Sequence, residues 1–173
     1  PAQGPGGRQY RQPNSQGAVG SVTVLDLTFN NQTSDKTQTA GFYLKILEKA
    51  VQTLKIKAGV GLSLNLVGEL LIQSLNAEHR NQNQVTDVLA FGLGEKLIGA
   101  IMELGDIFIC LPYAKKQAQK EGVSPKQKLA LLTIHGFLHL LGHDHEKSKK
   151  EAEKMLSLQN EILKNEAAIN LRS

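Results

Sequence analysis

The segment from Ser124 to Gly142 restricts the fold more than any other. Ser124-Pro125 opens a helix, with serine as the N-cap and proline at the first helical position, where a missing N–H goes unnoticed. The helix runs to Leu141, and Gly142 suits the left-handed residue that ends it. It is apolar on most sides, through Leu129, Ala130, Leu131, Leu132, Ile134, Phe137, Leu138, Leu140 and Leu141. A helix of that kind has to be surrounded, so it is expected at the centre of the molecule. Two imidazoles, His135 and His139, nonetheless sit on it.

The elements that would surround it can be read upstream and downstream. Val22–Phe29 is β-branched and apolar enough for a strand. From Thr37 to Leu54 the apolar residues Ala40, Tyr43, Leu44, Leu47, Ala50, Val51 and Leu54 fall at helical spacing. Val60, Leu62, Leu64 and Leu66 then alternate with Gly61, Ser63 and Asn65, the period of a strand. Strand, helix and strand in succession predict a right-handed crossover and a parallel pair. Glu69 to His79 is helical in pattern, Val88–Phe91 and Asp106–Cys110 are short strands, and Leu111 to Gln119 is a short helix. Gly92 to Gly105 fits either a loop or a hairpin. Glu146 to Lys164 is a last, amphipathic helix with Ala152, Met155, Leu156, Ile162 and Leu163 on its inner face. The expected class is α+β: a small mixed sheet of about four strands packed with helices around the central one.

Residues 1–20 are rich in Gly, Pro and Gln and show no hydrophobic periodicity, so they are set aside as a disordered tail or a cloning remnant. Residues 21–173 are then expected to form one domain, which a 173-residue chain with 40% hydrophobic content can fill. Net charge is +4, from 20 Lys+Arg against 16 Asp+Glu. Arg8 and Arg11 supply two of those charges, so the body is nearly balanced, which permits a polyanionic partner without demanding one. Tryptophan is absent and aromatics make up only 5%, which argues against binding built on many stacked rings. A single cysteine, Cys110, rules out an internal disulfide framework, suits a reducing compartment, and is expected as a buried small hydrophobe. No secretory signal opens the sequence, and its longest apolar run is too short to span a bilayer. A cytoplasmic location is the expectation.

The chemistry concentrates in a short stretch. Four of the five histidines are His135, His139, His143 and His145. His135 and His139, four apart on a helix, project from one face about a turn apart, and can grip one ion. The turn at Gly142 can bring His145 back toward the same point, giving H-x-x-x-H-x-x-G-x-x-H; His143 is the alternative third ligand. A catalytic zinc takes three protein ligands and keeps one position open for water, and three neutral imidazoles leave it a strong Lewis acid. Imidazoles also suit other divalent transition metals. Zinc peptidases of the zincin type carry a glutamate directly after the first histidine as general base, whereas Gly136 stands here. Upstream, Asn76 and Arg80 precede Thr86-Asp87. An arginine beside such a metal would clamp phosphoryl oxygens, though Arg80 equally fits a surface position at a helix end.

The stretch His135 to His145 resembles the H-G-x-L-H-L-x-G-[YH]-D-H signature of the YbeY family of bacterial rRNA maturation factors. Leu75-Asn76 with Arg80, followed by Thr86-Asp87-Val88-Leu89-Ala90-Phe91, resembles that family's second block, and Gly105-Asp106-Ile107 with Ile109 its third. The resemblance covers roughly Val22 to Lys164. Ala90, Gly92 and His143 depart from the residues common at those places, where serine, proline and tyrosine are frequent.

The resemblance implies a zincin-like α+β metalloprotein whose central helix bears the first two ligands, with zinc on His135, His139 and His145. It also implies that Arg80 is the functionally important arginine. The activity it implies is a single-strand-specific, zinc-dependent endoribonuclease, with rRNA and the ribosomal subunit as partners. Its implied roles are rRNA maturation, notably at the small-subunit 3′ end, and ribosome quality control. Asp144 is expected as a partner of a ligand histidine or as the cap of the last helix. Two competing readings are a zincin-like peptidase or other metallohydrolase, against which the missing glutamate argues, and a non-catalytic ribosome-assembly factor with a structural zinc, for which His143 would be the fourth ligand.

Overall fold

The computed structural model of the chain describes residues 24–164; the expected tail at residues 1–20 lies outside them. Four strands and five helices follow in the order β1 (Leu25–Asn31), α1 (Ala40–Thr53), β2 (Gly59–Val67), α2 (Glu69–Arg80), β3 (Val88–Ile98), β4 (Ile101–Cys110), α3 (Leu111–Glu121), α4 (Pro125–Leu140) and α5 (Lys149–Leu163). The sheet runs β1-β2-β4-β3. β1 lies parallel to β2, as the strand–helix–strand succession predicts, and β2 parallel to β4. β3 is antiparallel to β4 and forms the sheet's outer edge.

Gly92 to Gly105 is part of a hairpin. β3 and β4 run through it and pair out to Ile98 opposite Ile101, leaving a two-residue turn at Gly99-Ala100. The ladder skips between Gly92 and Lys96, and this irregularity blurs the period-two pattern that would have marked two long strands.

Alternation along the strands builds two unequal cores on opposite faces of the sheet. Val60, Leu62, Leu64 and Leu66 of β2 join Ile107 and Ile109 of β4 on the larger side. There they meet Tyr43, Ile46 and Leu47 of α1 and Leu129, Ile134, Phe137 and Leu138 of α4. Each such side chain taken out of water stabilises the fold by about 1.5–3 kcal/mol. On the other face Val67, Leu89 and Cys110 pack with Ile72 of α2. Cys110 is a buried small hydrophobe there, and burial raises its thiol pKa, so it stays protonated.

α4 is the central helix. Its first turn carries a capping box: Ser124 Oγ accepts from Gln127 N at 3.1 Å, and Gln127 Oε1 accepts from Ser124 N at 2.9 Å. Its last turn closes as a Schellman motif, with His143 N donating to Leu138 O at 3.0 Å and Gly142 N to His139 O at 2.9 Å. Gly142 takes φ +89°, a conformation that any side chain would resist. No described helix is long and apolar enough to cross a membrane.

Candidate metal centre

α4 and the turn that follows bring three imidazoles together. His135 and His139 lie on adjacent turns of α4, with their Nε2 atoms 3.2 Å apart. The reversal at Gly142 returns the chain so that the His145 ring centre stands 5.1 Å from each of the other two. One nitrogen from each of the three lies within 4.8 Å of the others, so the trio could hold a metal ion. Among the described residues, His143 does not join this group. Its backbone is engaged in the Schellman motif, its ring is half-buried, and burial with Lys154 nearby lowers its pKa.

The donors also suit a cation chemically. Burial and the other two imidazoles hold His139 down at about 4, and burial likewise lowers His135. Both rings are therefore neutral near pH 7, as a metal requires of its ligands. Nδ1 of His135 stands 3.3 Å from Oε1 of Gln159 on α5.

Asp144 does not cap α5; Ser148 does, its Oγ accepting from Glu151 N at 3.2 Å. That helix starts at Lys149, three positions later than the expected Glu146. Asp144 instead braces the loop that bears His145. Its Oδ1 accepts from Glu146 N at 2.9 Å, and this bond holds the carboxyl pKa below its ordinary value.

The trio opens into a cavity of about 240 Å³. Thr86, Asp87, Val88, Leu89 and Ala90 form one wall, so the free edge of the sheet flanks the imidazoles. Arg80 reaches the same cavity from the last turn of α2 and meets Glu146, Nη2 to Oε2, at 3.4 Å. Both side chains are substantially exposed, 44% and 60%, so the pair is weak and open to exchange. The loop leading to Thr86 is held by Asn76, which is 2% exposed and donates from Nδ2 to Gln84 O at 2.9 Å. Asp87 accepts from Val88 N at 2.9 Å and fixes the start of β3.

The cavity thus brings together His135, His139, His145 and Arg80 of the residues singled out from the sequence, while His143 and Asp144 do not line it. The structure adds Glu146 and Gln159, which sequence reasoning missed. Glu146 looks like one more charge at the start of a surface helix, and Gln159 lies in the apolar stripe of α5 between the buried Met155 and Ile162, with no motif to mark it.

The family model described as "Endoribonuclease YbeY" matches residues 27–167. The chain is 41% identical over 140 residues to a protein of that name from Persephonella marina, covering 80% of this chain and 91% of the relative. It is 38% identical over 146 residues to another from Oenococcus oeni, covering 82% and 94%. The solution structure of a Thermotoga maritima protein superposes with a TM-score of 0.56 at 25% identity, covering 85% of this chain and 95% of that one.

Proposed function

The chain belongs to the endoribonuclease YbeY family and is an RNA-cleaving hydrolase, and from that premise we propose that it is a zinc-dependent, single-strand-specific endoribonuclease of rRNA maturation. Its substrate would be ribosomal RNA, notably the small-subunit 3′ end, met on or near the ribosomal subunit in the cytoplasm, with a role in ribosome quality control. Residues 21–173 would form the single catalytic domain. The observation that carries the reading is the convergence of His135, His139 and His145 on one point beside Arg80 in an open cavity.

His135, His139 and His145 would hold one zinc ion. Bound there, zinc supplies Lewis acidity toward a phosphoryl oxygen or a water. The residues do the rest. Arg80 exchanges its weak contact with Glu146 for the scissile phosphate and offers two parallel N–H donors to its oxygens. As charge grows on those oxygens toward the transition state, the guanidinium gains in attraction, which is how a clamp of this kind accelerates the reaction. The edge of β3 at Val88–Ala90 forms the wall along which an unpaired strand would lie.

The decisive experiment is cleavage of single-stranded RNA by the purified protein with and without a chelator, alongside His139→Ala. Cleavage that needs the metal and disappears in the variant supports the reading. Cleavage that survives both would overturn it.

A further inference from the structure

We infer that Gln159 is a positioning residue for the metal centre: its side-chain carbonyl fixes the tautomer of His135 and so aims Nε2 at the point shared with His139 and His145. The inference rests on the metal reading above and deepens it.

Gln159 lies on α5, a separate element, and is 8% exposed. Met155, Gln159 and Ile162 form the buried stripe of that helix, so an amide sits where a leucine would pack. Burying an amide there is unfavourable unless it finds a partner. The partner is His135, whose Nδ1 lies 3.3 Å from Oε1. A neutral imidazole has one N–H and one lone pair. The amide oxygen can only accept, so the proton belongs on Nδ1 and the lone pair on Nε2. That lone pair points where a ligand is needed, since Nε2 of His135 and Nε2 of His139 stand 3.2 Å apart.

The opposite arrangement is chemically distinct. An amide turned over would donate to Nδ1, place the proton on Nε2 and direct it at His139. Glutamine also differs from a carboxylate in the same role. It orients the ring without adding negative charge, so the site keeps its full attraction for a phosphate.

Two measurements test this. Long-range proton–nitrogen spectra of the unaltered, metal-free protein, recorded well above the imidazole range, should show His135 protonated on Nδ1. Protonation on Nε2, or a mixture, overturns the inference. Zinc affinity by competition with a chromophoric chelator should fall roughly 10- to 100-fold in Gln159→Leu and return to within a few-fold of the original in Gln159→Glu. Undiminished affinity in the leucine variant removes Gln159 from the site and leaves the metal reading intact. A starting protein that takes up no zinc defeats both. Should the leucine variant fail to fold, the tautomer in the unaltered protein still decides.

Discussion

Gly136 packs so closely on Ile107 that a Cβ at that position would stand 2.9 Å from Ile107 Cγ2. Ile107 is fully buried in β4, and its branched side chain has no room to retreat. The residue after His135, the first of the three clustered histidines, is therefore the point where the central helix meets the sheet. A zincin peptidase places its catalytic glutamate there; this fold has no space for one.

Gly136→Ala should consequently destabilise the protein by about 1–3 kcal/mol, the range for overpacking a core. Gly136→Glu should destabilise it further and confer no casein cleavage. Thermal melts check the first expectation and a peptidase assay the second. An unshifted melting point in the alanine variant would show that the helix can lift away from β4 freely.

Arg80→Ala should keep zinc and lose roughly ten- to hundredfold in kcat/KM on single-stranded RNA, the value of a charge-assisted hydrogen bond of about 1.5–3 kcal/mol. Glu146→Gln should act in the opposite sense and more weakly. It frees Arg80 from an exposed pair worth at most about 1 kcal/mol, so KM should fall by no more than about fivefold. Steady-state kinetics on both variants decide; normal cleavage by Arg80→Ala removes the phosphate clamp.

The metal-free protein should lose stability as the solution is acidified from neutrality. Unfolded His139 takes up a proton below about 6.5, while the folded ring resists until about 4. Between those values the unfolded chain binds more protons, so stability drops with pH by at most about 1.4 kcal/mol per pH unit for this ring and levels off below. Melting curves across that window, compared with His139→Asn, measure the slope. A slope identical in the variant would show that this ring is not the cause.

Asn76→Ala should loosen the segment that leads into the cavity wall. The substitution leaves the Gln84 carbonyl without the donor it now has at 2.9 Å, a loss of about 1–3 kcal/mol. Denaturant midpoints should report that loss, and RNA cleavage should fall with zinc content unchanged, because the imidazoles stand on a different element.

Much of this was legible in the order of residues. The alternation from Val60 to Leu66, the Ser124-Pro125 start and the glycine at 142 each act through local geometry, so β2, α4 and its ending could be anticipated from the chain alone. The histidine spacing reports the site for the same reason, since helix pitch and one turn bring the three rings together. What stayed hidden depends on distant partners. The hairpin through Gly92–Gly105 is hard to recognise because its ladder is irregular. Ser148 rather than Asp144 caps α5 because the loop bearing His145 uses the Asp144 carboxylate first. Glu146 and Gln159 gain their roles only when α2 and α5 come alongside the cavity.

The three imidazoles all come from one short stretch, His135 to His145, on a single helix and its outgoing turn. An ion seated among them would close only a small ring of chain and would staple no remote pieces of the molecule together. Loss of the ion should then disarm the protein while leaving its architecture standing, and loading could follow folding rather than having to guide it.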